Sequence, residues 1–230
     1  FYTIDPNYDD NIGIKYNPVE NYAPVPFKLK DATDYCVENT MKATGQLFER
    51  ATRVVIQGTY YPEIGWKDND WFSFANTNYP NLAALQLEYA KDINVNLKDA
   101  CDRFYAAIKK YADSNRISIG ADFANLKQEE LNDIPNGGQV VKEDKCIRWY
   151  QKGLCYYWYE IRHDDSIQGI MEFAKYGVVR NNYYVLTLNT VDGAGTPWYP
   201  EINNPGPGDP DPKDPIDETE GYISVSVTIM

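Results

Sequence analysis

Residues 222–230 read Tyr-Ile-Ser-Val-Ser-Val-Thr-Ile-Met, with Ile223, Val225, Val227 and Ile229 set strictly against Ser224, Ser226 and Thr228. A period of two belongs to a β-strand with one buried and one wet face, because successive side chains leave the backbone on opposite sides. Such a strand cannot bury its apolar face alone, so the chain must supply partners. One lies within residues 176–189, where Tyr184, Leu186 and Leu188 alternate with Tyr183, Val185 and Thr187. Gly177 ahead of it and Asp192-Gly193-Ala194-Gly195-Thr196-Pro197 behind punctuate this strand, which is expected near the middle of a sheet. Residues 50–61, centred on Val54-Val55-Ile56, read as a further strand because β-branched side chains favour it, and so do residues 140–150 and 154–162. A weaker alternation over residues 32–40, joined to 50–61 by a turn near residues 42–45, suggests an antiparallel pair.

Between these strands the period changes. Residues 63–78 read as loop; Pro80 at a first helical position then opens a helix over 81–92 with Leu82, Leu85 and Tyr89 on one face. A clearer helix follows, capped by Asn96 and carrying Leu97, Ala100, Cys101, Phe104, Ala107, Ile108 and Tyr111 as one apolar stripe. A third is expected over 122–132, ended by Pro135 and Gly137-Gly138. The fold class that fits is mainly β, an antiparallel β-sandwich with a helical insertion at about 79–133. Residues 1–27, with four prolines and no periodicity, form an extended connector ahead of a domain at 28–230. Residues 198–220 interleave proline, glycine and aspartate and are expected to be an exposed, mobile loop.

Charge narrows the function. Lys and Arg number 22 against 34 Asp and Glu, a net charge of −12, which repels phosphate backbones and excludes nucleic acid as a partner. No apolar run approaches the roughly 20 residues a membrane helix needs, so no membrane span is expected. The 20 tyrosines and 5 tryptophans suit a secreted or surface β-protein, because amphipathic rings tolerate half-wet positions.

Four cysteines allow three pairings. Cys146 and Cys155 flank Gln151-Lys152-Gly153, a hairpin turn by composition, and two readings stand: a bridge across a wide hairpin, or free buried thiols. Trp66, Trp71, Phe72 and Phe74 are either a sugar-stacking patch or core aromatics, with packing favoured. Asp209, Asp211, Asp214 and Asp217 could gather around calcium, but without the order of a calcium loop they read as a solvated acidic loop. His163, the sole histidine, sits in a polar turn, and no nucleophile, base and orienting group come together. No enzyme activity, metal or cofactor is expected.

Residues 175–184, Lys-Tyr-Gly-Val-Val-Arg-Asn-Asn-Tyr-Tyr, with Gly193-Ala194-Gly195-Thr196-Pro197 and Cys155-Tyr156-Tyr157-Trp158-Tyr159, resemble the C-terminal domain of Bacteroidales fimbrillins. The nearest likeness is to minor-fimbrium (Mfa-type) shaft subunits, supported by Val37-Glu38-Asn39-Thr40, the run from Val54 to Tyr60, and Ile4-Asp5-Pro6-Asn7-Tyr8. Gly177, Val178, Val179, Arg180 and Asn181 are the most diagnostic stretch. The resemblance implies a transthyretin-like sandwich in an extracellular fimbrium (pilus) of the cell surface. It further implies export as a lipoprotein, trimming by an arginine-specific protease and polymerisation by donor-strand exchange. Neighbouring fimbrial subunits, with accessory anchor and tip subunits, are the implied partners. Adhesion to host or bacterial surface proteins or glycans, or a role as tip adhesin, is the alternative. By the same resemblance the chain is expected to be a piece lacking an upstream domain, with Ile223, Val225, Val227 and Ile229 leading toward a donor segment beyond Met230. Arg180 is expected to pair with a carboxylate and fix register where the motif strand begins.

Overall fold

The computed structural model describes residues 33–230 apart from 34, 37, 49, 143–146, 165, 168, 202–205 and 207–221. The connector over 1–27, Cys146 and the four loop aspartates therefore lie outside the described residues. Nine strands, β1 (Asn39–Thr40), β2 (Arg53–Thr59), β3 (Trp71–Phe74), β4 (Thr77–Tyr79), β5 (Arg148–Tyr150), β6 (Leu154–Glu160), β7 (Gly177–Val178), β8 (Tyr184–Val191) and β9 (Ile223–Ile229), form small antiparallel sheets among the described residues. The pairings are β1 with β7, β2 with β6, β4-β3-β5, and β8 with β9. Helices α1 (Leu82–Ala90), α2 (Val95–Asn115), α3 (Gln128–Asn132) and α4 (Gly137–Val141) fall between β4 and β5.

The three-stranded sheet is the divider on which the core is built. Opposite faces of a strand carry alternate side chains, so Phe72 and its cross-strand neighbour Trp149 point one way, and Trp71 and Tyr150 the other. Phe72 and Trp149 meet the apolar stripe of α2 at Phe104, together with Leu85, Phe123 and Leu131. Trp71 and Tyr150 stack with ring centroids 3.8 Å apart and join Cys155 and Tyr157 of β6 in a second cluster. The dominant helix forms where expected, but its cap is Asn94, whose side chain accepts the Leu97 N–H at 3.1 Å, not Asn96. Likewise Asn81 caps α1, which puts Pro80 one residue outside the helix. Residues 122–132 divide into a 3-10 turn (Phe123–Asn125) capped by Asp122 and the separate α3.

Further expectations are corrected by the strand pairings and by close packing. Residues 71–79 are a β3–β4 hairpin instead of loop; the tight turn is made by Ala75 in the left-handed region (φ 50°). Residues 137–141 are helical, although Val140 and Val141 favour strand. Gly137 lies where a Cβ would overlap the Trp149 ring and Gly138 where it would overlap the Pro197 carbonyl, so close packing overrides propensity. The turn at Gln151–Gly153 joins two sheets instead of closing a hairpin: Lys152 (φ 49°) and Gly153 (φ 73°) swing the chain so that β5 pairs with β3 and β6 with β2. Finally, β1 pairs with β7 instead of β2, and the motif divides into β7 and β8, with Asn181 (φ 63°) turning between them. β8 sits in a two-stranded ribbon and not mid-sheet.

Candidate assembly interface

Two strand edges stand out among the described residues. The β2–β6 ladder is bracketed by Tyr60 N–H donating to Gly153 O and Ile161 N–H donating to Thr52 O, both at 2.9 Å. With the register Val54↔Tyr159 to Gly58↔Cys155, these bonds turn the backbone groups of Val54, Ile56 and Gly58 toward β6 and those of Val55, Gln57 and Thr59 away from it. Among the described residues nothing meets the outward groups of Val55, Gln57 and Thr59. An unmet row of N–H and C=O groups is a template for strand addition.

The β8–β9 ribbon is in phase with Tyr183 and Met230, which exchange both backbone bonds at 3.0 Å. Tyr184, Leu186 and Leu188 therefore face Ile229, Val227 and Val225 across non-hydrogen-bonded positions, where side chains approach most closely. A bulge between Leu188 and Thr190 restores the phase and brings Val191 opposite Ile223. One face of the ribbon is thus apolar throughout and half-buried over β9, while Ser224, Ser226 and Thr228 are exposed on the other. Ile223 packs onto the Trp71–Tyr157 cluster and anchors that end. Tyr184 anchors the other: its hydroxyl accepts the Val179 N–H at 2.9 Å and lies 2.7 Å from His163 Nδ1.

The motif residues form the hinge behind this ribbon. Gly177 (φ 136°) lies where a Cβ would stand 2.7 Å from Asn39 O, so glycine is required for β7 to reach β1. Val178 is buried, and Val179 supplies the N–H held by Tyr184. Arg180 pairs with Glu38, as expected of it. Asn181 supplies the turn, and Asn182 Nδ2 closes it on the Val179 and Arg180 carbonyls.

Residues 148–230 match the family model described as major fimbrial subunit protein type IV, fimbrillin, C-terminal. The match begins at the first residue of β5 and takes in β6 to β9. The match takes in the C-terminal part of the chain only, and its description is that of a fimbrial subunit. Comparison with curated proteins returned no match. No helix among the described residues is long and apolar enough to cross a membrane.

The remaining site candidates are placed plainly. Trp71 and Phe72 are 1% and 0% exposed, and Trp66 and Phe74 are half-buried beside them, so the first two offer no free face to a sugar. Cys155 is a free buried thiol opposite Gly58, its Sγ 3.4 Å from Tyr157 Oη, and burial pushes it up from its ordinary value. Among the described residues no three His, Cys, Asp or Glu side chains gather as metal ligands. By its sequence Asp68-Asn69-Asp70 reads as a solvated acidic run and not a cation site, but Asp70 is buried. Its carboxylate accepts Trp149 Nε1–H and Gln128 Nε2–H at 2.9 Å each and the Lys152 N–H at 2.8 Å, which makes it the pin between α3, β5 and the Lys152 turn. Its only signal in sequence was the polar run Asp68-Asn69-Asp70 among aromatics.

Proposed function

We propose that this chain is the C-terminal sandwich of a fimbrial shaft subunit of the minor-fimbrium (Mfa-type) kind found in Bacteroidales, and that it assembles by donor-strand exchange. In this reading the small sheets belong to a transthyretin-like sandwich with its helices inserted between β4 and β5. The outer edge of β2, unmet among the described residues, receives an incoming strand, and Ile223, Val225, Val227 and Ile229 carry the chain toward the donor segment. The observation that carries the reading is the family match over 148–230, which covers the β6 strand on which β2 is laid and the β8–β9 ribbon. An added strand pairs its backbone with the edge and seats alternate side chains, a mode of recognition that needs no pocket.

The test uses proline. The Gln57 N–H faces outward, so Gln57→Pro leaves the β2–β6 ladder intact and removes a donor from the receiving edge. Electron microscopy of the protein should show regular filaments that the variant fails to form while its melting temperature holds. Filaments that persist in Gln57→Pro would overturn the proposed edge. Single particles at the ends of other filaments would assign the subunit to a tip and make adhesion its main task.

A further inference from the structure

The outer edge of β8 calls for an occupant of its own. The backbone groups of Tyr184, Leu186 and Leu188 point away from β9 and meet no partner among the described residues. Beside them Leu188 is 45% and Val191 42% exposed. Edge strands that must stay single carry lysine, proline or inward-pointing charges that spoil pairing. Residues 183–191 and 222–230 contain no Asp, Glu, Lys, Arg or Pro, and the bulge of the ribbon lies beyond Leu188, past the stretch that a partner strand would meet. Charge names the partner. With a net charge of −12, copies of this chain repel one another wherever carboxylates are in excess, and the uncharged ribbon is where that repulsion is least. A charged foreign segment finds no counter-charge along it.

We propose that β8 pairs antiparallel with β8 of a second copy about a twofold axis at Leu186, joining the two ribbons into one continuous sheet. Leu186 then faces Leu186 of the second copy, Tyr184 faces its Leu188, and Leu188 faces its Tyr184. These are the residues whose backbone groups point outward, so each such pair exchanges both of its bonds. Opposed residues share a face: Tyr184, Leu186 and Leu188 of both copies make one apolar strip, with Val185 opposite Thr187 on the other side. Other centres match less well. An axis at Thr187 sets Tyr184 opposite Thr190, beyond the bulge, and an axis at Val185 sets Leu188 opposite Asn182, in the turn ahead of β8. The contact is isologous and closes at two copies. An edge this short lies at the small end of specific interfaces, so the pairing responds to concentration. It stands apart from the fimbrial reading, because it leaves the β2 edge untouched.

Hydrogen exchange and sedimentation of the full chain, from low to high micromolar concentration, test it. The Tyr184, Leu186 and Leu188 amides should exchange about tenfold slower at the upper end, in step with a shift from monomer to dimer. Leu186→Lys sets like charges opposite each other and should abolish both effects while Tyr157 in β6 stays protected. Gln57→Pro, which acts on the β2 edge, should change neither, so the two readings can fail separately. Fast exchange at these amides at every concentration overturns the proposal. Protection independent of concentration overturns it too, since it gives the edge to the chain itself, and so does growth past the dimer, which a closed pair forbids. If Leu186→Lys also releases Tyr157, Leu186→Cys decides, because opposed residues of a hydrogen-bonded pair stand about 5.5 Å apart at Cα, within disulfide reach. A disulfide joining position 186 of both copies, found by peptide mapping after mild oxidation, supports the twofold pairing, and its failure to form removes it.

Discussion

Arg180 holds Glu38 twice. Its guanidinium Nη2 lies 2.5 Å from Glu38 Oε2, and its own backbone N–H donates to Glu38 Oε1 at 3.2 Å. The pair ties the turn after β7 to the residue just ahead of β1, so it clamps a ladder of only two residue pairs that backbone bonds alone would hold weakly. A carboxylate that accepts from both a side chain and a backbone group fixes register as well as proximity.

The first prediction follows from that clamp. The Arg180 side-chain hydrogen bond, foremost, holds the Glu38 carboxyl below its ordinary value of 4.5 against a smaller opposing effect of burial. A depressed folded value stabilises the protein above the unfolded value and is lost as pH falls through the folded one. Glu38→Gln should therefore cost about 0.5–1 kcal/mol at neutral pH, discounted because the Arg180 side chain is 48% exposed. It should also flatten the acid limb of a urea-midpoint titration below pH 4.5.

A second prediction concerns Asp70, the three-donor acceptor. Removing its carboxylate leaves the Trp149 indole N–H, the Gln128 amide and the Lys152 N–H unmet in a site only 7% exposed. Asp70→Ala should lower unfolding free energy by roughly 2–4 kcal/mol, several times an ordinary surface substitution. Chemical denaturation followed by tryptophan emission would report both the loss and any change around Trp149.

Trp71 separates packing from recognition. It is stacked on Tyr150 and donates its indole N–H to Tyr60 O at 2.9 Å. Trp71→Ala should cost about 3–5 kcal/mol as a cavity in the second core cluster. Any glycan binding by the unsubstituted protein should survive in whatever fraction of the variant remains folded. A glycan array showing selective loss at unchanged melting temperature would contradict the buried role.

The parts of this fold legible in sequence are those decided by local periodicity. β9 alternates without interruption, β2 carries three β-branched residues in a row, and the α2 stripe repeats at helical spacing, so each announces itself. What was illegible depends on partners remote in sequence. Nothing within residues 137–141 says helix; the Trp149 ring and the Pro197 carbonyl that press on Gly137 and Gly138 do. Nothing in Gln151-Lys152-Gly153 separates a hairpin from a crossing; the Asp70 carboxylate holding the Lys152 N–H does. The site divides the same way. Arg180 could be expected to find a carboxylate, whereas the edges of β2 and β8 that nothing meets among the described residues appear only once the strand pairings are known.

The last prediction turns on a cross-strand pair that is buried and poorly matched. Arg53 and Glu160 stand opposite each other in the β2–β6 register, and Glu160 is 7% exposed. Glu160 Oε1 and Arg53 Nε and Nη1 are buried without hydrogen-bond partners among the described residues, although the guanidinium lies over the Phe48 ring at 3.6 Å and also donates to Phe48 O. Burial pushes the Glu160 carboxyl above its ordinary value of 4.5, more than Arg53 and Arg162 pull it down, and burial lowers Arg53 to about 10. A carboxylate whose folded value is raised weakens the fold in its charged form. That penalty is absent below the unfolded value, grows as pH rises from 4.5 and is complete above the folded value. Glu160→Gln, which mimics the neutral acid, should abolish this slope. The wild-type protein should lose stability relative to the variant as pH is raised across that window, while the Glu38 effect lies wholly on the acid side of it. Replacing both residues, Arg53→Met with Glu160→Leu, should be neutral or stabilise by about 1–4 kcal/mol, because two desolvated charges give way to packing surface. Parallel pH titrations of the urea midpoint for these variants provide the check: a wild-type curve parallel to Glu160→Gln above pH 4.5 would show that Glu160 is not strained by its burial.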